Sequence, residues 1–136
     1  MSESNKAVVQ KFWDCYNQAA WDKLDSLVSG DYIHHNNASQ LSIEQFKRGA
    51  AWIRARMPDY HIVVEDMVAE ADKVVVRWVG HGTHQGSFNG EAPTGKPVAV
   101  YGVFVHRVEN NRISADWEYV DEQYIMQQIG AIAQES

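Results

Sequence analysis

Residues 114–121, with the sequence SADWEYVD, form the most informative stretch of this chain. A turn signal rich in Asn precedes it, so an extended segment is expected to begin here. Successive side chains of a β-strand face opposite sides of the sheet, which places Asp116 and Glu118 on one face and Trp117 and Tyr119 on the other. Two interpretations follow. Either the aromatic face is core and the acidic face is solvated, or the acidic face lines a pocket.

The composition predicts one soluble domain spanning residues 1–136, since the chain is 45% hydrophobic and 22% charged. The formal net charge of −6 and the lack of a basic stretch argue against a nucleic-acid partner. The first residues carry no apolar signal segment, and no window approaches the roughly 18 apolar residues that a membrane span needs. We therefore expect a cytoplasmic protein with no membrane partner. The lone Cys15 fits a reducing compartment and is expected to be a buried, inert thiol.

The first half of the chain has helical periodicity. Helices are predicted at residues 4–19 and 21–28, and a third begins after Ser42 and ends before Pro58. Ser42 is the expected N-cap, with Gln45 in the capping-box position. A brief extended piece at residues 31–37 separates the second helix from the third.

The second half changes to alternating strand patterns, with a Gly-rich loop at residues 82–95. The predicted elements are a hairpin of residues 60–68 and 74–80, strands at 98–108 and 113–120, and a terminal helix at 124–132. This order predicts an α+β fold, in which the helices gather on one face of a curved antiparallel sheet formed by a four-strand meander.

The strand at residues 98–108 is largely apolar on both faces, so both faces should be covered. The helices can cover one face, and a second subunit packed sheet to sheet is the simplest cover for the other. We therefore expect a homodimer whose interface includes Trp117 and Tyr119. Asp116 and Glu118 would then point inward, into a cavity beneath the helices, where burial can raise the pKa of a carboxyl group.

Several stretches, in this order and spacing, resemble the SnoaL-like polyketide cyclases of the nuclear transport factor 2-like superfamily. The matching stretches cover most of the chain: NKAVV at 5–9, DYIHHN at 31–36, PD at 58–59, VED at 64–66, AEADKVVVRW at 69–78, GTHQG at 82–86, APTGK at 92–96, GVFVHR at 102–107, NRI at 111–113 and Trp117.

The resemblance implies an open cone, in which a curved sheet wraps around helices and encloses a deep pocket, and commonly a dimer. Cofactor-free cyclases of this family use an acid on the last strand to move a proton during an intramolecular aldol ring closure. By position, the residue after Trp117 has that role, and here it is Glu118. The chain departs from the family at Glu118, where Asp is more frequent, at Asp116, where His is frequent, and at Phe104, where polar residues are frequent.

Three residues are candidates for catalysis. Glu118 is the predicted general acid or base, with Phe104 beside it if the last two strands form a hairpin; its alternative role is that of a pocket-wall carboxylate without turnover. Asp116 could act on Glu118 as a like charge, but we expect it to be solvated near the rim of the cone. His35 could orient a substrate carbonyl, or hold its loop through bonds to the backbone.

The candidates for substrate binding lie on the same strands and loops. Aromatic members have core packing as the alternative, and His84 could equally be a solvated loop residue. They are Tyr32, Asn36, Trp78, His84 and Phe104.

The sequence has no metal-binding His spacing and no nucleotide-binding or nucleophile-elbow motif, so neither metal nor cofactor is expected. Epoxide hydrolysis would need an Arg in the pocket, and Arg77 has the opposite parity to Trp78. Two classes of function remain: a cofactor-free cyclase or isomerase that moves a proton on a small hydrophobic carbonyl substrate, and a non-catalytic dimeric domain that binds a small molecule.

Overall fold

The computed structural model describes residues 2–37, 39–88 and 90–130. The helices are α1 (Ser2–Gln18), α2 (Trp21–Ser26), α3 (Ile43–Arg56) and α4 (Glu122–Gln128). The strands are β1 (Val28–Asn36), β2 (Ser39–Leu41), β3 (His61–Glu70), β4 (Lys73–Thr83), β5 (Pro97–Glu109) and β6 (Arg112–Val120). The helices followed by strands confirm the predicted α+β class. Residues 131 and 132 of the predicted terminal helix lie outside the described residues.

The sheet differs from the predicted four-strand meander. It has six strands in the order β2-β1-β6-β5-β4-β3, and only β3 to β6 form the expected antiparallel meander. Strand β1 pairs in parallel with β6, so the sheet is mixed rather than purely antiparallel. The predicted second helix was too long, because Val28 already belongs to β1, where it is buried and lies opposite Ile113 of β6.

Sequence signals at both ends of α3 determine where this helix begins and ends. The hydroxyl oxygen of Ser42 accepts a hydrogen bond from the backbone N–H of Gln45, and the side chain of Gln45 accepts one from the N–H of Ser42. This capping box satisfies two N–H groups that have no partner within α3. The helix ends at Arg56, before Pro58, as predicted.

The inner face of the sheet packs against the helices. Helix α1 contacts β3, β4, β5 and β6, and its buried side chains are Val9, Phe12, Trp13, Cys15 and Tyr16. The expectation that Cys15 is buried is therefore confirmed. Among the described residues, no helix combines the length and the apolar character needed to cross a membrane.

Strand β6 has the parity predicted from its sequence. Asp116 is fully buried on the inner face, whereas Tyr119 is 60% exposed on the outer face. The outer face also carries other exposed large apolar side chains, which are Ile33, Val63, Val68, Val75 and Tyr101. The inner face of β6 therefore contributes to the interior, and within the described residues the outer face of the sheet leaves these apolar side chains exposed.

Candidate active site

A cavity of about 380 Å³ lies between the inner face of the sheet and the helices. Its wall is mainly aromatic and aliphatic, as expected for a site that takes an apolar small molecule. Apart from the tryptophans, the lining residues with polar side chains are Tyr16, His34, Asn36, Gln45, Tyr60, Glu118 and Glu122.

The parallel pairing of β1 with β6 assembles the polar end of the cavity. It places His34 opposite Asp116 and Asn36 opposite Glu118. The Nδ1 atom of His34 contacts Oδ1 of Asp116, and its Nε2 atom lies 3.1 Å from Oε1 of Glu118. Asn36 donates a second hydrogen bond to the same Oε1 atom, at 3.4 Å. One imidazole thus bridges two carboxylates that the chain places two residues apart.

Asp116 is the buried end of this network. The hydroxyl of Tyr32 donates to its Oδ2 atom at 2.6 Å, and Nδ1 of His106 lies 3.5 Å from the same oxygen. The expectation that Asp116 is solvated near the rim is therefore wrong. The cause is that β6 lies between β1 and β5, so that both neighbouring strands direct a His side chain at this carboxylate.

A hydrogen bond from Trp13 determines the tautomer of a neutral His106. The indole N–H of Trp13 donates to Nε2 of His106 at 3.3 Å. An indole can only donate, so Nε2 must carry a lone pair, and a neutral His106 carries its proton on Nδ1, towards Asp116. The Nδ1–Oδ2 separation of 3.5 Å is too long for a good hydrogen bond, so the contact between His106 and Asp116 is electrostatic.

Mutual interaction sets the charges of this network. Burial alone would raise the pKa of Asp116, but its interactions with His106 and His34 outweigh the effect of burial and lower that pKa to about 2. The predicted rise for a buried carboxylate is therefore wrong for Asp116. Burial would lower the pKa of His34, but its hydrogen bonds to Asp116 and Glu118 raise it to about 9. Burial, and then the adjacent Asp116, raise the pKa of Tyr32 well above its ordinary value. At neutral pH the network therefore holds an ionised Asp116, a His34 imidazolium and a neutral Tyr32.

We predict that the free energy of unfolding depends on pH through His34. Its folded-state pKa of about 9 exceeds the unfolded value of 6.5, so the contribution is complete below pH 6.5 and is lost as the pH rises to about 9. Asp116 has a folded-state pKa of about 2 against 3.8 unfolded, so its contribution is lost as the pH falls through that window. Urea unfolding between pH 5 and pH 10 measures the alkaline limb. His34→Gln should remove most of that limb, and an unchanged limb in the variant would contradict the assignment.

The remaining sequence candidates fall in different places. His35 lies outside the cavity wall: its ring stacks on Trp117 at 4.9 Å, and its Nδ1 lies 3.0 Å from the backbone carbonyl oxygen of Asp116. His84 is buried rather than solvated and lies outside the cavity wall, and its Nδ1 accepts a hydrogen bond from the N–H of Thr94. Neither histidine therefore faces a bound molecule in this pocket.

Arg77 pairs with Asp66 at the surface, on the face of β4 opposite to Trp78, as the alternation of the strand predicted.

His34, and not the predicted His35, is the histidine of β1 that lines the cavity. Tyr32, His34 and Asn36 share one face of β1, so selecting Tyr32 and Asn36 already implied His34 rather than His35. Asn36 lines the cavity. Tyr32 does not line it, and its hydroxyl donates a hydrogen bond to Asp116 instead.

Two aromatic candidates do form the wall of the cavity. Trp78 and Phe104 are nearly fully buried and both line it, and Phe104 is the strand partner of Glu118, as the hairpin argument predicted. Across the described ranges, no group of three or more His, Cys, Asp or Glu side chains is arranged to hold a metal ion.

Comparison with solved structures gives the same fold throughout. AclR from Streptomyces galilaeus, a proposed hydroxylase, has a TM-score of 0.90 and 21% identity, covering 100% of this chain and 87% of that one. IdmH from Streptomyces antibioticus, a proposed polyketide cyclase, has a TM-score of 0.87 and 24% identity, covering 93% and 98%. A proposed SnoaL-like polyketide cyclase from Jannaschia sp. CCS1 has a TM-score of 0.85 and 23% identity, covering 97% and 95%. At these identities the likeness defines the fold alone. A comparison with curated proteins found no match.

Helices packed on a curved six-stranded sheet around a pocket define the class, a cone-shaped α+β domain of the nuclear transport factor 2-like type. The SnoaL-like polyketide cyclase family matches residues 6–129. The chain belongs to that family.

Proposed function

We propose that the protein is a cofactor-free cyclase or isomerase that moves a proton on a hydrophobic carbonyl substrate. The observation that carries this proposal is the position of Glu118. Its side chain is 17% exposed and lines the cavity, while the carboxylate of Asp116 behind it is fully buried. Glu118 is therefore the carboxylate of the network that a bound substrate can reach.

The two oxygens of Glu118 have different surroundings. His34 and Asn36 both contact Oε1, and no described residue donates a hydrogen bond to Oε2. Oε1 is thus fixed by the protein, and Oε2 is free to accept a proton from a substrate carbon. A catalytic base must lie within hydrogen-bond reach of the proton that it removes, and the position of Glu118 on the wall of a mainly apolar pocket supports that role.

The proposed reaction balances without a cofactor. Glu118 takes a proton from the carbon next to a substrate carbonyl, and the C–H electron pair forms an enolate. In a cyclase, the enolate carbon attacks a second carbonyl of the same molecule, so one C–C bond forms and an alkoxide results. Glu118 then returns its proton to that alkoxide. In an isomerase, the proton returns to another carbon of the enolate instead.

The other network members position Glu118. His34 donates to Oε1 and holds the carboxylate in one orientation, and Asp116 fixes the ring of His34 from its other nitrogen. Such second contacts hold a catalytic group in its working geometry. Asp116 and Tyr32 are accordingly positioning residues in this proposal, since they act through His34.

A proton-exchange assay tests the proposal before the natural substrate is identified. Aromatic ketones such as 2-tetralone are incubated with the protein in D₂O, and loss of the α-proton signal is followed by NMR. Exchange faster than the buffer rate, and slower with Glu118→Gln, supports the proposal. Saturable binding of such ketones without accelerated exchange would instead favour the second candidate, a non-catalytic domain that binds small molecules in the same pocket.

We also propose a homodimer formed through the outer face of the sheet. The exposed apolar side chains on this face include Tyr101 and Tyr119, and a second copy of the chain would cover them. Sedimentation at micromolar concentration should give a dimer, and Tyr119→Asp should shift it towards monomer by placing a charge in the interface. A wild-type monomer would contradict this proposal. The inward orientation of Glu118 does not depend on the dimer, because the pairing of β6 with β1 and β5 sets that orientation.

A further inference from the structure

His106 is a fully buried histidine that has no role in the reaction proposed above. Its ring stacks on Phe104 at 5.2 Å. The rings of Phe12 and Trp13 meet it edge to face, at 5.6 Å and 5.8 Å. A polar ring is costly to bury among aromatic side chains unless its nitrogen atoms interact with polar groups. The two nitrogens of His106 therefore have to find their partners in two directions, towards α1 and towards β6.

The contact with α1 determines the protonation of this ring. The indole N–H of Trp13 donates to Nε2 of His106 at 3.3 Å. An imidazolium has no lone pair to accept such a bond, so the indole can pair only with a neutral ring whose proton is on Nδ1. That atom lies 3.5 Å from Oδ2 of Asp116. His106 therefore presents an N–H dipole, and not a positive charge, to the carboxylate.

Asp116 divides its negative charge between two sides of the site. Its Oδ2 atom faces His106 and accepts a hydrogen bond from the hydroxyl of Tyr32 at 2.6 Å, and its Oδ1 atom contacts Nδ1 of His34. Donors on Oδ2 stabilise the negative charge, which weakens the attraction of the carboxylate for the proton of His34. His34 in turn lies 3.1 Å from Oε1 of Glu118. A change at His106 is therefore expected to reach Glu118 through two intervening side chains.

The groups that surround the two imidazole rings leave few other sources of charge. Helix α3 brings Phe46 against His34, and α1 brings Phe12 and Trp13 against His106. Among the described residues, the charged or titratable side chains in contact with these rings are Asp116 and Glu118, with Tyr32 behind Asp116.

We propose that His106 is a positioning residue of this site, held in one tautomer by Trp13, and that it sets how firmly Asp116 holds the proton of His34. Trp13 is the first member of this chain and also lines the cavity. The inference rests on the proposed function for its effect on rate, because His106 reaches Glu118 only through Asp116 and His34. Its effect on the charge of His34 requires no turnover.

Nitrogen-15 NMR of the histidine rings tests the inference on the protein alone. In the wild type at pH 7, His106 should have the signals of a neutral ring protonated on Nδ1. His106→Phe keeps a ring against Phe104 but removes the dipole from Asp116, so the cation of His34 is stabilised further. The pKa of His34 should then rise from about 9 by at least about half a unit. His106→Asn places an amide N–H near the position of Nδ1 and should reverse part of this rise.

A histidine outside the network provides the matched control. His81 is exposed on β4, and His81→Phe makes the same chemical change there, so it should leave the pKa of His34 unchanged. Trp13→Phe removes the bond to Nε2, and His106 should then show a mixture of tautomers.

Three results would overturn the inference. They are a wild-type His106 that is an imidazolium or is protonated on Nε2, a pKa of His34 that does not rise in His106→Phe, and an equal rise in His81→Phe. The wild-type signals and His106→Asn still test it if His106→Phe does not fold.

A ketone exchange assay separates this inference from the proposed reaction. If ketones exchange protons, the alkaline limb of the rate should move to higher pH in His106→Phe. If the pKa of His34 rises as expected while no ketone exchanges, the proposed reaction fails and the role of His106 stands. Catalysed exchange with an unchanged pKa of His34 in His106→Phe would retain the reaction and overturn the role of His106.

Discussion

Glu118→Gln should lower turnover by at least about a hundredfold while leaving ligand affinity close to wild type. Loss of a general acid or base typically costs 10² to 10⁴ in rate, because the proton has no positioned acceptor. Gln keeps the length of the side chain and an oxygen that can accept from His34, so the pocket should retain its shape. The measurement compares the rate of proton exchange with the affinity for the same ketone in both proteins.

A second carboxylate on the same cavity wall provides the matched control. Glu122 also lines the cavity, but the side chains of His34 and Asn36 hydrogen-bond to Glu118 instead, and Glu122→Gln makes the same chemical change outside the network. It should keep most of the activity. Full turnover by Glu118→Gln on a confirmed substrate would show that Glu118 is not the base, and His34 and Asp116 would then be the residues to test.

Asp116→Ala should give the largest loss of stability among the site variants. It removes a fully buried carboxylate, leaves the Tyr32 hydroxyl without its partner, and leaves the His34 cation with Glu118 as its carboxylate partner. Breaking a buried ion pair by removing one member typically costs about 3–5 kcal/mol when the remaining charge has no other partner, so we expect a loss of up to that size. The free energy of unfolding, obtained from urea titration at pH 7, measures the effect.

Two further variants show whether the loss comes from the charge. Asp116→Asn keeps the shape and can still accept from Tyr32, so it should lose less stability than the alanine variant. Asp66→Ala removes an exposed carboxylate paired with Arg77 and should cost only about 0–1 kcal/mol. A loss in Asp116→Ala as small as that in Asp66→Ala would mean that the network does not stabilise the fold.

Short-range patterns in the sequence determined most of the helices and strands, and which side chains share a face of each strand. The alternation in residues 114–121 was sufficient to place Asp116 and Glu118 on one face of the strand and Trp117 and Tyr119 on the other, because the side to which a side chain points in a strand depends on parity. It left open which of the two faces is the inner one. The capping box at Ser42 and Gln45 likewise fixed the start of α3, since its two hydrogen bonds join residues three apart. Residue patterns along the chain predicted the family in the same way.

Only the tertiary structure decided which strand lies beside β6. The parallel pairing with β1 joins residues more than 80 positions apart, and no local pattern selects that partner. This pairing brings His34 between Asp116 and Glu118, buries Asp116, and lowers rather than raises its pKa. It also separates the roles of two carboxylates that are equivalent by parity. Burial and charge depend on neighbours in space, so the sequence could name both acids, but only the fold shows which of them reaches the pocket.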